Sequence, residues 1–296
     1  MGRLTQRVLA TLLLFLLATA GALAQPRQPV WVTVERARTL EAQGEFGRAI
    51  QLYREALALN PGNPEATLGL ARVFRDIADP AIAQTYFDDA LELRDRFQVP
   101  GYAVLVRYER ARFYRDRLDH AAYERELLSI IQEDTTPTEL PDDLSTSLAA
   151  NGLDELLILY RSVENGATEA RGMLAQQLVG MGQYLDAEDQ AIRAIVEQVT
   201  TVVDALLERD PFFQFTSVGQ MLDRAAEYPE TREYLSSSTL FRNLYYLAAA
   251  LYGSRRAHFN DIWRYVAQRE ESGTYQRRAL QQLSSPQTEP LLVETD

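Results

Sequence analysis

Residues 42–61 read Ala-Gln-Gly-Glu-Phe-Gly-Arg-Ala-Ile-Gln-Leu-Tyr-Arg-Glu-Ala-Leu-Ala-Leu-Asn-Pro, and the fold is decided here. Gly44 breaks one helix, an amphipathic helix follows, and Asn60-Pro61 stops it. Shifted by 34 residues, the surrounding chain falls on itself. Ala37 meets Ala71, Leu40 meets Phe74, Ala49 meets Ala83, Tyr53 meets Phe87, Ala56 meets Ala90 and Leu59 meets Leu93. Two unrelated amphipathic helices would share a period near 3.6 but not a 34-residue register. A fixed period of this length marks a repeat of paired helices. The alanines let helix axes approach, and the aromatics fill the space between neighbouring pairs.

Further along, Ala175, Leu178, Gly182, Tyr184, Ala187, Ala191 and Ala194 reproduce the spacing of Ala37 to Ala56. Ala175 lies 104 residues after Ala71, three periods plus two residues, so two degenerate repeats fit between. Helices are expected at 101–117 and 119–133, and at 142–150 and 153–165, the last two separated by Asn151-Gly152. The helix from Tyr184 is expected to run to Arg209, stopped by Asp210-Pro211. Beyond it, helices are expected at 216–228, 238–252, 258–271 and 274–284, with 285–296 a frayed tail. No segment alternates with period 2, so no sheet is expected. The segment 133–141 is the best candidate for a linker; a loop between hairpins is the preferred reading, with a hinge the alternative.

The segment 42–61 resembles the second half of a tetratricopeptide repeat. It carries the Gly-x-Phe turn, Ala49 and Tyr53 in Ala-x3-Tyr spacing, Ala56 and the closing Pro61. The resemblance implies an all-α fold, a right-handed superhelical array of antiparallel helix pairs with a less regular helical C-terminal part. The array would cover 25–198, with clear repeats at about 30–63, 64–97 and 168–198 and degenerate ones at 98–167, followed by the helical region 199–284. The resemblance also implies a concave groove lined by the first helix of each repeat, where peptides bind. Carried over by register, the groove positions are Trp31, Val34, Arg38 and Glu41, then Glu65, Leu68, Arg72 and Arg75. Arginines in that set suit a partner with carboxylates. Some family members grip a C-terminal carboxylate with lysine and asparagine. Here Val34, Arg38 and Gly69 stand at those positions, against that kind of ligand.

The N-terminus reads as an address. Arg3 and Arg7 precede the apolar run Val8–Ala18, and Ala22-Leu23-Ala24 supplies small residues before Gln25. This is the layout of a secretory signal peptide over 1–24, which implies export, most plausibly to a bacterial periplasm. An uncleaved anchor is the competing reading, since Val8–Ala24 is at the short end for a membrane-spanning helix. No other stretch approaches spanning length, so no stable membrane insertion is expected after cleavage. The net charge of −12 disfavours phosphate backbones, so no nucleic-acid partner is expected. There is no cysteine, and all 30 basic residues are arginine. That removes disulfides, thiolate metal sites, Schiff-base lysines and phosphate loops of the lysine type.

Catalytic signals are sparse. His120 beside Asp119 and His258 near Asn260 and Asp261 each lack a second histidine at ligand spacing, and caps account for them better than metal does. The carboxylates Glu133, Asp134, Glu139, Asp142 and Asp143 lie on a loop, where solvation suffices. Arg107, Arg110, Arg112, Arg115 and Arg117, interleaved with Tyr108, Phe113 and Tyr114, read as a salt-bridged helix in preference to an anion-binding face. No catalytic, cofactor-binding or metal residue is assigned. The expected function is a non-enzymatic protein- or peptide-binding scaffold. Two alternatives stand beside it: an enzyme or enzyme subunit with its site in 199–284, and an oligomer assembled through Phe212–Phe215. Oligomeric state is not legible from the sequence.

Overall fold

The computed structural model describes residues 28–99, 101–136 and 140–289. Fourteen α-helices and two short 3-10 turns make up its regular structure, and no strand occurs among the described residues. The signal segment 1–24, Glu139 and residues 290–296 lie outside the described residues. The chain divides into two compact units between Ala103 and Val104.

The first unit holds two hairpins, α1 (Val30–Ala42) with α2 (Phe46–Leu59) and α3 (Pro64–Asp76) with α4 (Pro80–Glu92), closed by a 3-10 turn at Arg94–Arg96. Short turns between packed helices make each pair antiparallel. Asn63 and Asp79 cap α3 and α4, accepting the Ala66 and Ile82 amide hydrogens, and each is followed by proline at the first helical position. Ala37, Ala49, Tyr53, Ala56, Ala71, Ala83, Phe87 and Ala90, the repeat register, are all fully buried. Leu40 and Leu93 are partly exposed, and Leu59 is 46% exposed, because α2 ends there and its last turn faces solvent.

Both hairpin turns use one backbone device. The second residue after the helix is left-handed, and the next amide reaches back five residues. Gly44 has φ 74°, and the Glu45 N–H donates to the Leu40 carbonyl at 2.9 Å. Ala78 has φ 60°, and the Asp79 N–H donates to the Phe74 carbonyl at 2.9 Å. This satisfies carbonyls that the helix end would otherwise leave open.

The second unit runs through α5 (Gly101–Asp116, its first turn lying before the division), α6 (His120–Glu133), α7 (Leu144–Leu159), α8 (Thr168–Gly180) and α9 (Tyr184–Arg209). It continues with α10 (Val218–Ala226), α11 (Pro229–Ser237), α12 (Leu240–Gly253), α13 (Phe259–Ala267) and α14 (Thr274–Ser284). The same turn recurs at Leu118, Gly182 and Arg255, each with positive φ and the same five-residue return bond. Helix α9 is the spine, packed against α8 and α12.

Four expectations need correction. The expected break between 142–150 and 153–165 is present, since α7 is two helical arms meeting at the non-helical Gly152 (φ 80°, ψ 176°), but the second arm is over by Leu159 and does not reach 165. Residues 216–228 and the chain after them form two short helices, α10 and α11. Pro229 restarts the chain in helix because proline suits a first helical position. The segment 258–271 is helical only to Ala267, followed by a 3-10 turn at Glu270–Ser272 and Gly273 at φ 57°. The start of the expected tail is also held, for Pro286, Gln287 and Glu289 are all hydrogen-bonded to side chains of α12 and α14.

Candidate functional site

A cleft of about 210 Å³ opens in the first unit. Trp31 and Val34 on α1 form one wall, Asn63 and Glu65 at the start of α3 form another, and Gln98, Val99 and Tyr102 complete it. Trp31 is 59% and Val99 53% exposed, so two apolar groups stand at the rim. The Arg38 guanidinium sits 5.6 Å from the Tyr102 ring centroid, and Tyr102 stacks on Phe97 at 5.9 Å. Arg38 also donates to the exposed Glu35 carboxylate at 2.8 Å. Such a surface pair contributes about 0–1 kcal/mol and exchanges readily for another carboxylate. The Gln98 N–H donates to Glu65 at 3.1 Å, tying the segment before α5 to α3.

The residues expected from the sequence divide. Trp31, Val34 and Arg38 line the cleft together with Glu65. Val34 reaches it from a position only 3% exposed, and Leu68 is wholly in the core and presents no surface to a ligand. Glu41 and Arg72 turn to each other. The arginine donates from Nε at 2.6 Å and from Nη2 at 2.9 Å, and Tyr53 donates its hydroxyl to the same carboxylate at 2.5 Å. Burial alone would raise the Glu41 carboxyl, but the Arg72 hydrogen bonds and charge outweigh it and hold the group below its ordinary value. Arg75 pairs with Asp76 at 2.8 Å, away from the cleft.

Val99 and Tyr102 were not anticipated. The signal that finds them is the repeat itself, carried one period further. Trp31, Glu65 and Val99 are spaced by 34, and so are Val34, Leu68 and Tyr102. Gly69 also finds its reason here. A Cβ at that position would stand 2.2 Å from the Tyr53 ring, so the glycine makes room for the repeat aromatic.

Elsewhere the singled-out residues have structural partners. Arg107 and Arg110 of α5 donate to Glu126 and Glu133 of α6, Arg112 to Glu109, and Arg115 to Asp116. Asp119 caps α6. His258 is itself left-handed (φ 71°) and packs beside Gly152. Its neighbour Asp154 accepts from the Tyr265 hydroxyl and the Val218 N–H, a set that anchors α13 and α10 to α7. Burial and the Asp154 carboxylate push the Tyr265 hydroxyl up, so it serves as a donor. No group of three or more histidine or carboxylate ligands at metal-holding distance occurs among the described residues. The Phe212–Phe215 patch is broken up. Phe212 is 90% exposed, whereas Phe215 is buried beneath the Arg161 guanidinium and stacked on Phe213.

With the repeat packing and the cleft in place, the comparisons with known proteins fall into line at the first unit. Residues 30–73 match the family model of the tetratricopeptide repeat. No curated protein matches the chain. Among solved structures, similar ones include a protein assigned as a Podospora anserina kinesin light chain with nearly identical tetratricopeptide-like repeats. It is 14% identical, with 87% of this chain and 97% of that one covered at a TM-score of 0.42. Another is PilW, a type IV pilus biogenesis factor, at 14% identity, 86% and 99% coverage and a TM-score of 0.40. A third is PilF of Pseudomonas aeruginosa, at 15% identity, 84% and 97% coverage and a TM-score of 0.40. At these scores the superpositions are loose, and what those proteins do stays with those proteins.

Proposed function

We propose that this chain is a non-enzymatic protein-interaction scaffold of the bacterial cell envelope, exported by its N-terminal segment, and that the cleft of the first unit takes an extended peptide from a partner protein. The observation that supports this is the cleft's lining. One register position from three successive repeats, Trp31, Glu65 and Val99, converges there, with exposed apolar groups at Trp31 and Val99 beside a cation at Arg38. An apolar side chain against Trp31 and Val99, with a carboxylate displacing Glu35 from Arg38, fits that lining. Among the described residues no helix is long and apolar enough to cross a membrane.

A photo-crosslinking amino acid placed in turn at Trp31, Val99 and Arg48 tests the proposal. Arg48 lies on the solvent side of α2, its side chain 68% exposed. One partner captured from 31 and 99, and absent from 48, supports the cleft. Equal capture from all three positions contradicts it.

A further inference from the structure

The second unit holds a receptor of a different kind, independent of the cleft in the first. The last described residues fold back onto α12 and α14 and are read at three points. The Tyr252 hydroxyl donates to the Pro286 carbonyl at 3.1 Å. The Gln282 side-chain amide pairs with the main chain of Gln287, accepting its N–H at 2.8 Å and donating to its carbonyl at 3.1 Å. The Glu289 carboxylate then gathers three donors. Oε1 accepts from the Tyr245 hydroxyl and from Gln282 Nε2 at 3.2 Å, and Oε2 accepts from Arg278.

With the segment in place, its partners are closely packed. Tyr245 and Gln282 are 1% and 2% exposed. Arg278 is stacked among three tyrosine rings, with centroid distances of 4.4 Å to Tyr245, 5.4 Å to Tyr246 and 5.2 Å to Tyr275. A guanidinium fixed by aromatic faces loses little further freedom on gripping a carboxylate. Two of the three points contact main chain, so they accept any side chain. The selective point is the carboxylate two residues after the clamped backbone. Next to Glu289 the site continues into a cleft of about 330 Å³ lined by Arg115, His120, Met173 and Tyr246. His120 brings to it a buried Nε2 with no hydrogen-bond partner among the described residues. Glu289 stands at one edge of that space.

We infer that α12 and α14 form a binding site for an extended acidic peptide supplied by a partner, carrying a glutamate or aspartate two residues after the backbone clamped by Gln282, and that the chain's own segment 286–289 is its resident competitor. The Tyr245–Gln282–Arg278 triad reads the carboxylate. The adjoining cleft takes the partner residues that the resident segment does not supply.

The test uses the full chain and a fluorescein-labelled peptide of residues 285–296 added in trans, read by anisotropy. A tethered segment competes at an effective concentration of about 1 mM. Glu289→Gln in the chain therefore raises the affinity for the labelled peptide roughly ten-fold, and the same substitution in the peptide abolishes the gain. Because the second change is in the probe, loss of folding cannot mimic it. Equal affinity of the wild-type and Glu289→Gln chains overturns the proposal, as does equal binding of the Glu and Gln peptides. Concentration-dependent dimerisation of the wild-type chain that Glu289→Gln removes overturns it too, by assigning the segment to a neighbouring copy. None of these outcomes bears on crosslinking at Trp31.

Discussion

Gly69 shows how one residue is set by its neighbour. The Tyr53 ring lies where a Cβ would go, and the Tyr53 hydroxyl is held by Glu41, which is held in turn by Arg72. The ring cannot retreat without breaking that chain of bonds. Gly69→Ala is therefore expected to destabilise the protein by about 1–3 kcal/mol, measured by urea unfolding. An unchanged midpoint would mean that the aromatic is free to move. Ala78 offers the opposite prediction. It is exposed, yet left-handed at φ 60°, where Gly44 and Gly182 serve the equivalent turns. Ala78→Gly removes the strain of a Cβ in that region and costs backbone entropy in the unfolded chain, for a net gain of about 0.5–1 kcal/mol in the same assay. Glu41 fixes a pH dependence. Its carboxyl is depressed below 4.5 in the folded state, so the folded chain binds that proton less readily than the unfolded one. The stability it contributes is complete above about pH 4.5 and is lost as pH falls through the folded value. Glu41→Gln should flatten this part of the pH profile of unfolding, and an unaltered slope would remove Glu41 from the account.

At the scale of elements, the turn device explains both what the sequence showed and what it hid. Five hairpin turns share the left-handed residue and the return bond, but only those at Gly44 and Gly182 carry glycine. Ala78, Leu118 and Arg255 adopt the same conformation with no local signal to mark it. Helix α9 was legible from Tyr184 to its stop at Asp210-Pro211, because its apolar pattern is long and its terminator strong. Helix α11 was not. Its nine residues bury just Thr231 and Leu235, too few to set a period. The buried acids along α9 could not be read from sequence either, since their partners are distant. Glu188 is fully enclosed and accepts from Ser254 at 2.6 Å and from Arg256 at 2.7 Å. Glu197 accepts from Thr168 at 2.6 Å, with Arg171 nearby. Burial raises both carboxyls despite these partners. Arg256→Ala leaves Glu188 enclosed with Ser254 alone and should cost about 3 kcal/mol. A raised carboxyl in the folded state takes up its proton first on acidification. The deficit of Arg256→Ala relative to wild type should therefore shrink as pH falls toward 5, and a constant deficit would argue that the arginine acts through packing alone.

For the molecule as a whole, repetition is the thread from sequence to proposed function. The 34-residue register was legible because small and aromatic residues at the helix crossings are constrained by close packing. The same register places Trp31, Glu65 and Val99, and Val34, Leu68 and Tyr102, along one line. The groove positions expected from sequence stopped at the second repeat, and Gln98, Val99 and Tyr102 of the cleft lie at the start of the third. Glu41, Arg72 and Leu68 sat at plausible positions but serve the core and one another, because the periodicity tells which face a residue occupies and not which partner it meets. The second unit carries little of this pattern. Its proposed acidic-peptide site rests on tyrosines, a glutamine and one arginine from α12 and α14, whose side chains no repeat position marks.

The central claim is that the first unit's cleft binds a partner peptide, and titration of the partner captured at Trp31 against the intact chain and against Trp31→Ala/Arg38→Gln is the most direct test. Both substitutions lie at the rim, outside the buried register, so the helical signal and the unfolding midpoint should stay near wild type. The account predicts a loss of affinity of about ten-fold or more, as expected when an aromatic anchor and its neighbouring cation are removed together. Unchanged affinity in a folded double variant would contradict it and move the partner site away from the repeats.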